Sequence, residues 1–112
     1  MDADTSIHPV IIVSPAAAAA MPRPPDNLAT PVLVKHALET EFYAPHGVDA
    51  QQPHDRDELY FIARGSGWFV AAGQRRRCGA GDLIFVPAKA EHRFVDFSDD
   101  FSTWVVFFGP VA

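Results

Sequence analysis

Cysteine is nearly absent: Cys78 is the only one in 112 residues, which excludes an internal disulfide. Stability therefore has to come from packing, a metal or a partner chain, and a reducing, cytoplasmic setting is expected. Basic charge is scarce as well. Nine Lys and Arg stand against 14 Asp and Glu, for a formal net charge of -5. That balance argues against nucleic acid as a partner, because phosphate binding draws on concentrated Lys and Arg. No apolar run approaches the ~20 residues that span a bilayer, so a membrane partner is not expected either. No 3.6-residue stripe is long enough for a major helix. The length leaves room for one core and excludes a separate catalytic domain beside a partner module.

What is present describes a packed domain. Hydrophobic residues make up 48% and charged residues 21%, and nine phenylalanines dominate the aromatics. So many aromatics in a short chain point to a wide apolar cavity or a covered second surface. Residues 1–26 are expected to form an arm with an Ala- and Pro-rich linker, and 27–112 the domain. Within the arm, Pro9 to Val13 followed by Ala16 to Ala20 has the apolar character of a secretory signal. Asp2 and Asp4 without Lys or Arg, and Pro15 in the run, count against that reading. A flexible arm is the plainer alternative, and Val10-Ile11-Ile12-Val13 has the β-propensity to add a strand to a partner sheet. Met21 offers a second candidate start.

From Asn27 on, short apolar runs are punctuated by turn residues, an all-β pattern. The expected strands are Val32 to His36, Glu41 to Ala44, Glu58 to Ala63, Gly67 to Ala72, Arg75 to Cys78, Leu83 to Val86, His92 to Asp96 and Thr103 to Phe108. Eight short strands with tight turns indicate a barrel or jelly roll.

Two segments carry chemistry. In the first, Gln52 and His54 precede Glu58 and Gly65; in the second, Gly81 and Pro87 precede His92 and Asp96. Over residues 47 to 96 these resemble the two motifs of the cupin family, Gly, His-x-His, Glu and Gly followed by Gly, Pro, Gly, His and Asn. The resemblance implies an all-β double-stranded β-helix, the jelly-roll cupin barrel, with a metal held inside it. Four positions depart from the pattern. Gln52 replaces the first His, His46 stands at the leading Gly with Gly47 one step late, Lys89 replaces the turn Gly, and Asp96 replaces the closing Asn. The Gln52 change bears on chemistry, the others on turn geometry.

Alternation along an extended segment turns Gln52 and His54 the same way, with Glu58 joining from the next strand and His92 from a distant hairpin. Two imidazoles, a carboxylate and an amide oxygen suit an open divalent transition-metal site, with zinc, manganese, iron or nickel as candidates. A structural zinc site would more often use thiolates, and none is available. The Gln-x-His arrangement also resembles the zinc site of type I phosphomannose isomerases, without carrying their activity over. The competing reading is a barrel that has lost its metal and keeps these residues as hydrogen-bonded polar groups. His46 and His36 are lesser ligand candidates.

Alternation sends Arg75, Arg76 and Arg77 to opposite faces of a solvated edge strand, and Cys78 is expected to be a small buried hydrophobe. Trp104 to Phe108 has no polar alternate positions, so both faces of that strand call for burial and a homodimer is expected. The function expected is a small metal-dependent enzyme, a dioxygenase, isomerase or lyase, acting on a compact oxygenated small molecule. The alternative is a non-catalytic module that binds or senses a small ligand. A group besides the ligands that faces the cavity and can move protons separates the two. Tyr60 is a weak candidate for that role because a phenol's ordinary pKa is about 10; His46 is a second.

Overall fold

The computed structural model describes residues 10–112. Pro9, Asp2 and Asp4, on which part of the arm reading rests, lie outside the described residues. Eight strands follow a short helix: α1 (Pro15–Ala20), β1 (Thr30–Lys35), β2 (Leu38–Tyr43), β3 (Asp57–Arg64), β4 (Ser66–Ala71), β5 (Gln74–Gly79), β6 (Leu83–Val86), β7 (His92–Val95) and β8 (Ser102–Phe108). Each expected strand is present, with β2 starting at Leu38 rather than Glu41. The sheets run β1-β2-β8-β3-β6 and β5-β4-β7, all pairs antiparallel.

The helix is the departure from the expected arm. Ser14 caps it by accepting a hydrogen bond from the Ala17 N–H at 3.0 Å, Pro15 opens it, and the five alanines have the best intrinsic helix propensity. Ala18 is fully buried and α1 lies against β1 and β2. Val10 to Val13 form no strand within this chain, and Val10, Ile11 and Ile12 are exposed.

Period-two alternation decides the interior. Register pairs Tyr60 with Val105 and Ile84, Glu58 with Phe107 and Val86, and Glu41 with Val105, which places all of these on the inner face of the larger sheet. From the smaller sheet Phe69, Phe94 and Cys78 face them. Tyr60, Phe94 and Phe101 are essentially unexposed; Tyr60 and Phe94 meet edge to face at 5.0 Å, and Phe94 and Phe101 pack as a tilted pair at 4.8 Å. Each such pair adds about 1 kcal/mol beyond its buried area.

Two turns show how the departures from the motif are absorbed. Lys89 and Asp96 hold φ of 72° and 48°, so the non-glycine residues keep the left-handed backbone that Gly and Asn adopt most easily. In that conformation the Lys89 N–H donates to the His54 carbonyl at 2.6 Å, and the Ala88 N–H donates to the Asp57 carboxylate at 2.8 Å. These bonds tie the two motif segments together. Gly65 does require glycine: its φ is 76°, and a Cβ there would meet the Phe101 Cα at 2.8 Å.

Candidate metal centre

Glu58 is the second residue of β3 and His92 opens β7, so opposite sheets present them to one point in the barrel, while His54 approaches from the segment before β3. Ligand atoms of the three lie within 4.8 Å of one another. His92 Nε2 is 2.6 Å from Glu58 Oε1, and His54 Nδ1 is 3.2 Å from Glu58 Oε2. The Glu58 and His92 side chains are each 1% exposed and that of His54 is 34% exposed, so one flank of the group is open.

The hydrogen bonding around these atoms is incomplete. His92 Nδ1 donates to the Ala90 carbonyl at 2.8 Å, which leaves Nε2 to face the carboxylate. Two lone pairs at 2.6 Å repel, so a proton belongs between them at this spacing; a metal ion about 2.1 Å from each would replace it as the two atoms part to roughly 3 Å. On the other oxygen, His54 Nδ1 and Glu58 Oε2 are buried and have no hydrogen-bond partner. Buried polar atoms without partners are rare and costly, and two that face each other across 3.2 Å fit a shared cation. A backbone carbonyl that fixes the ring of a ligating His is a common support for a metal site.

Electrostatics follow from burial and charge together. Burial alone would raise the Glu58 carboxyl, but the pull of His54 and His92 outweighs it and holds the group down at about 2. Burial alone would lower the His92 imidazole; Glu58 and the Ala90 carbonyl outweigh it and hold it above its ordinary 6.5.

A chain of buried polar groups leads away from the centre. Tyr60, fully buried, has its hydroxyl 2.9 Å from both the Gln51 amide oxygen and His92 Nε2. Burial and the Glu58 charge push this phenol well above its ordinary range, so it keeps its proton and serves as a donor, not a base. Gln51 Nε2 in turn donates to Asp49 at 2.7 Å, and the same carboxylate accepts from the Tyr43 hydroxyl at 2.5 Å and the Phe94 N–H at 2.8 Å. Asp49 thus pins the segment before β3 to both sheets.

Gln52 is exposed, at the rim of a cavity of about 190 Å³ that His54, Gln51, Glu41, Tyr43 and Phe107 also line. Gln51 is the glutamine turned into the protein, because Asp49 captures it. His36, in the β1–β2 turn, and His46 are exposed and outside the group of ligand atoms. Sequence reasoning passed over Glu41. It lies on the inner face of β2, half-buried in the cavity wall, and its Oε2 accepts from Asn27 at 3.3 Å. Burial raises this carboxyl above its ordinary range against the Asn27 bond, and Glu39 adds to the rise. The Glu39-Thr40-Glu41 alternation puts two carboxylates on one face, but only the pairing of Glu41 with Val105 identifies that face as the inner one.

Comparison with known proteins agrees with this geometry. A family model described as a cupin domain matches residues 39–108. An uncharacterized protein of Streptomyces coelicolor is 34% identical over 62 residues, 55% of this chain and 59% of that protein. An acireductone dioxygenase of Frankia alni is 47% identical over 49 residues, 40% of this chain and 24% of that enzyme. Both matches span less than two thirds of those relatives. Among solved structures, a cupin 2 conserved barrel domain protein of Salinispora arenicola superposes with a TM-score of 0.62 at 25% identity, covering 80% of this chain and 88% of that one. Among the described residues no helix is long and apolar enough to cross a membrane.

Proposed function

The chain belongs to the cupin domain family, and from that premise we propose that it holds a divalent transition metal in the barrel and acts as a small metal-dependent enzyme on a compact oxygenated substrate. The observation that carries this reading is the pair of partnerless buried atoms, His54 Nδ1 and Glu58 Oε2, beside the 2.6 Å approach of His92 to the same carboxylate. His54, Glu58 and His92 are the proposed ligands, with Gln52 as a fourth donor from the rim. The mixed nitrogen and oxygen set suits zinc, manganese, iron or nickel. A metal bound there supplies Lewis acidity toward a substrate oxygen.

The chain's own residues do the remainder. Tyr60 and Gln51 hold the inner side of His92 in place, while Phe107, 4.9 Å from the His54 ring, supplies apolar wall. Glu41 faces the same cavity with a raised pKa, which suits a group that takes a proton from substrate and returns it. It supports the enzyme reading over the binding module, since that reading calls for a proton-transfer group besides the ligands. Dioxygenase, isomerase and lyase chemistry all fit this equipment, and the match to an acireductone dioxygenase supports the first.

The test loads the protein with each metal in turn and presents compounds that chelate through adjacent oxygens, following them by NMR in air-saturated buffer. Consumption of one of them is expected, with Glu41→Gln retaining metal and binding but losing turnover. Binding without consumption under every metal would replace the enzyme by a sensing or storage module.

A further inference from the structure

A second and larger cavity, of about 610 Å³, lies between β5 and β6, an edge strand of each sheet. Its volume falls in the ~300–1,000 Å³ range of small-molecule sites. None of His54, Glu58 and His92 lines it. Phe69 separates the two sites, with its ring 5.9 Å from that of His92 and its own side chain in the wall of the slot.

Three successive arginines on β5 have different surroundings. Arg75 pairs with Asp96 at 2.7 Å and lies 4.7 Å from the Trp68 ring centre. Arg77 approaches the same ring at 5.6 Å. Register places Arg76 opposite Phe69, on the inner face, and it forms no ion pair among the described residues. Both Arg76 and Arg77 line the slot, against a single carboxylate, Asp82, whose Oδ2 already accepts from the Gly79 N–H at 2.8 Å. The slot is therefore locally positive in a chain of net charge -5. Its other walls are Phe69, Ile84, Leu83 and Phe85.

We propose that this slot binds an organic anion, a small carboxylate with an aromatic or branched apolar body. The carboxylate sits on the Arg76 guanidinium, whose planar fork of donors matches it. The body lies against Phe69 and Ile84. Gln74, on the same inner face, adds a neutral donor. Two guanidiniums, Arg76 and Arg77, against the one carboxylate of Asp82 leave the slot a net charge of one, which favours one negative charge over the two of a phosphate monoester.

Benzoate is the probe, titrated calorimetrically into the full-length protein as purified and mapped by amide NMR shifts, with benzyl alcohol as the uncharged counterpart. Saturable benzoate binding is expected, with shifts centred on Gln74 to Cys78 and Leu83 to Phe85 and weaker binding of the alcohol. Arg76→Gln should weaken benzoate by about tenfold or more, the loss expected for a charge-assisted hydrogen bond. Arg75→Gln, on the outer face, should change it by less than about twofold. Because Arg76 is exposed, both variants should fold, which their melting curves verify. Absence of saturable binding, equal binding by Arg76→Gln, or shifts centred on His54 and His92 would each overturn the proposal. None of these outcomes depends on whether the other site holds a metal.

Discussion

His92 Nε2 lies 2.6 Å from Glu58 Oε1, while the opposite nitrogen of the same ring is committed to the Ala90 carbonyl. The ring is thus held with one nitrogen aimed at a carboxylate, and whatever lies between them carries positive charge. Proton and metal compete for that place.

The competition has a sign. In the metal-free protein, the raised His92 pKa contributes stability that is complete below the unfolded value of 6.5 and is lost as pH rises through the folded value. The depressed Glu58 pKa contributes stability above its unfolded value of 4.5 that is lost as pH falls toward about 2. Melting temperature without metal should therefore be higher near pH 5.5 than near pH 8.5. The increment added by zinc should run the other way, growing as pH rises, because binding must displace the His92 proton. Thermal melts across that range, with and without zinc, measure both slopes. An increment independent of pH would mean that His92 is not a ligand.

Lys89 holds a left-handed backbone at φ 72° that glycine adopts without strain. Lys89→Gly should raise stability by roughly 1 kcal/mol, the relief of the Cβ clash less the entropy glycine adds to the unfolded chain. Denaturant melts of the two proteins measure it. A loss of stability would show that the Lys89 side chain contributes more than its backbone costs.

Gln52 separates ligand from bystander. If its amide oxygen reaches the metal, Gln52→His should tighten zinc binding, and Gln52→Ala should loosen it without emptying the site, since three ligands remain. Calorimetric titration of zinc and manganese into the metal-free proteins reads both. Unchanged affinity in both variants removes Gln52 from the ligand set.

On the outer face of the larger sheet, Phe61, Leu83 and Phe85 are 42%, 59% and 55% exposed, in register with Leu59, Trp104 and Val106. A second copy of the chain is expected to cover this face. Light scattering at micromolar concentration should give about twice the 12.2 kDa chain mass, and Phe85→Glu should return the monomer. A wild-type mass of one chain would remove the dimer from the account.

The strands were legible because their apolar runs alternate and their ends carry Gly, Pro and Asp; even β8, apolar on both faces, betrays itself by length. His54, Glu58 and His92 were legible as a group because two His and a Glu fall at the spacing of a known pair of motifs. The remainder depended on information that lies outside local sequence. Which of Gln51 and Gln52 turns inward is set by Asp49, whose carboxylate captures the Gln51 amide and whose own position is fixed by β2 and β7. Glu41 alternates like a surface residue until β8 is placed beside it. The alanines of α1 sit in a stretch bounded by prolines, and their helix depends on the Ser14 cap and on burial of Ala18 against the barrel.

The most direct test of the metal assignment is elemental analysis of protein purified without chelators, and again after reconstitution. The wild type should carry about one divalent transition-metal ion per chain, and His92→Ala and His54→Ala, folded by their melting curves, should carry almost none. A folded wild type that stays empty after reconstitution would contradict the account and leave His54, Glu58 and His92 as a buried ion-pair cluster.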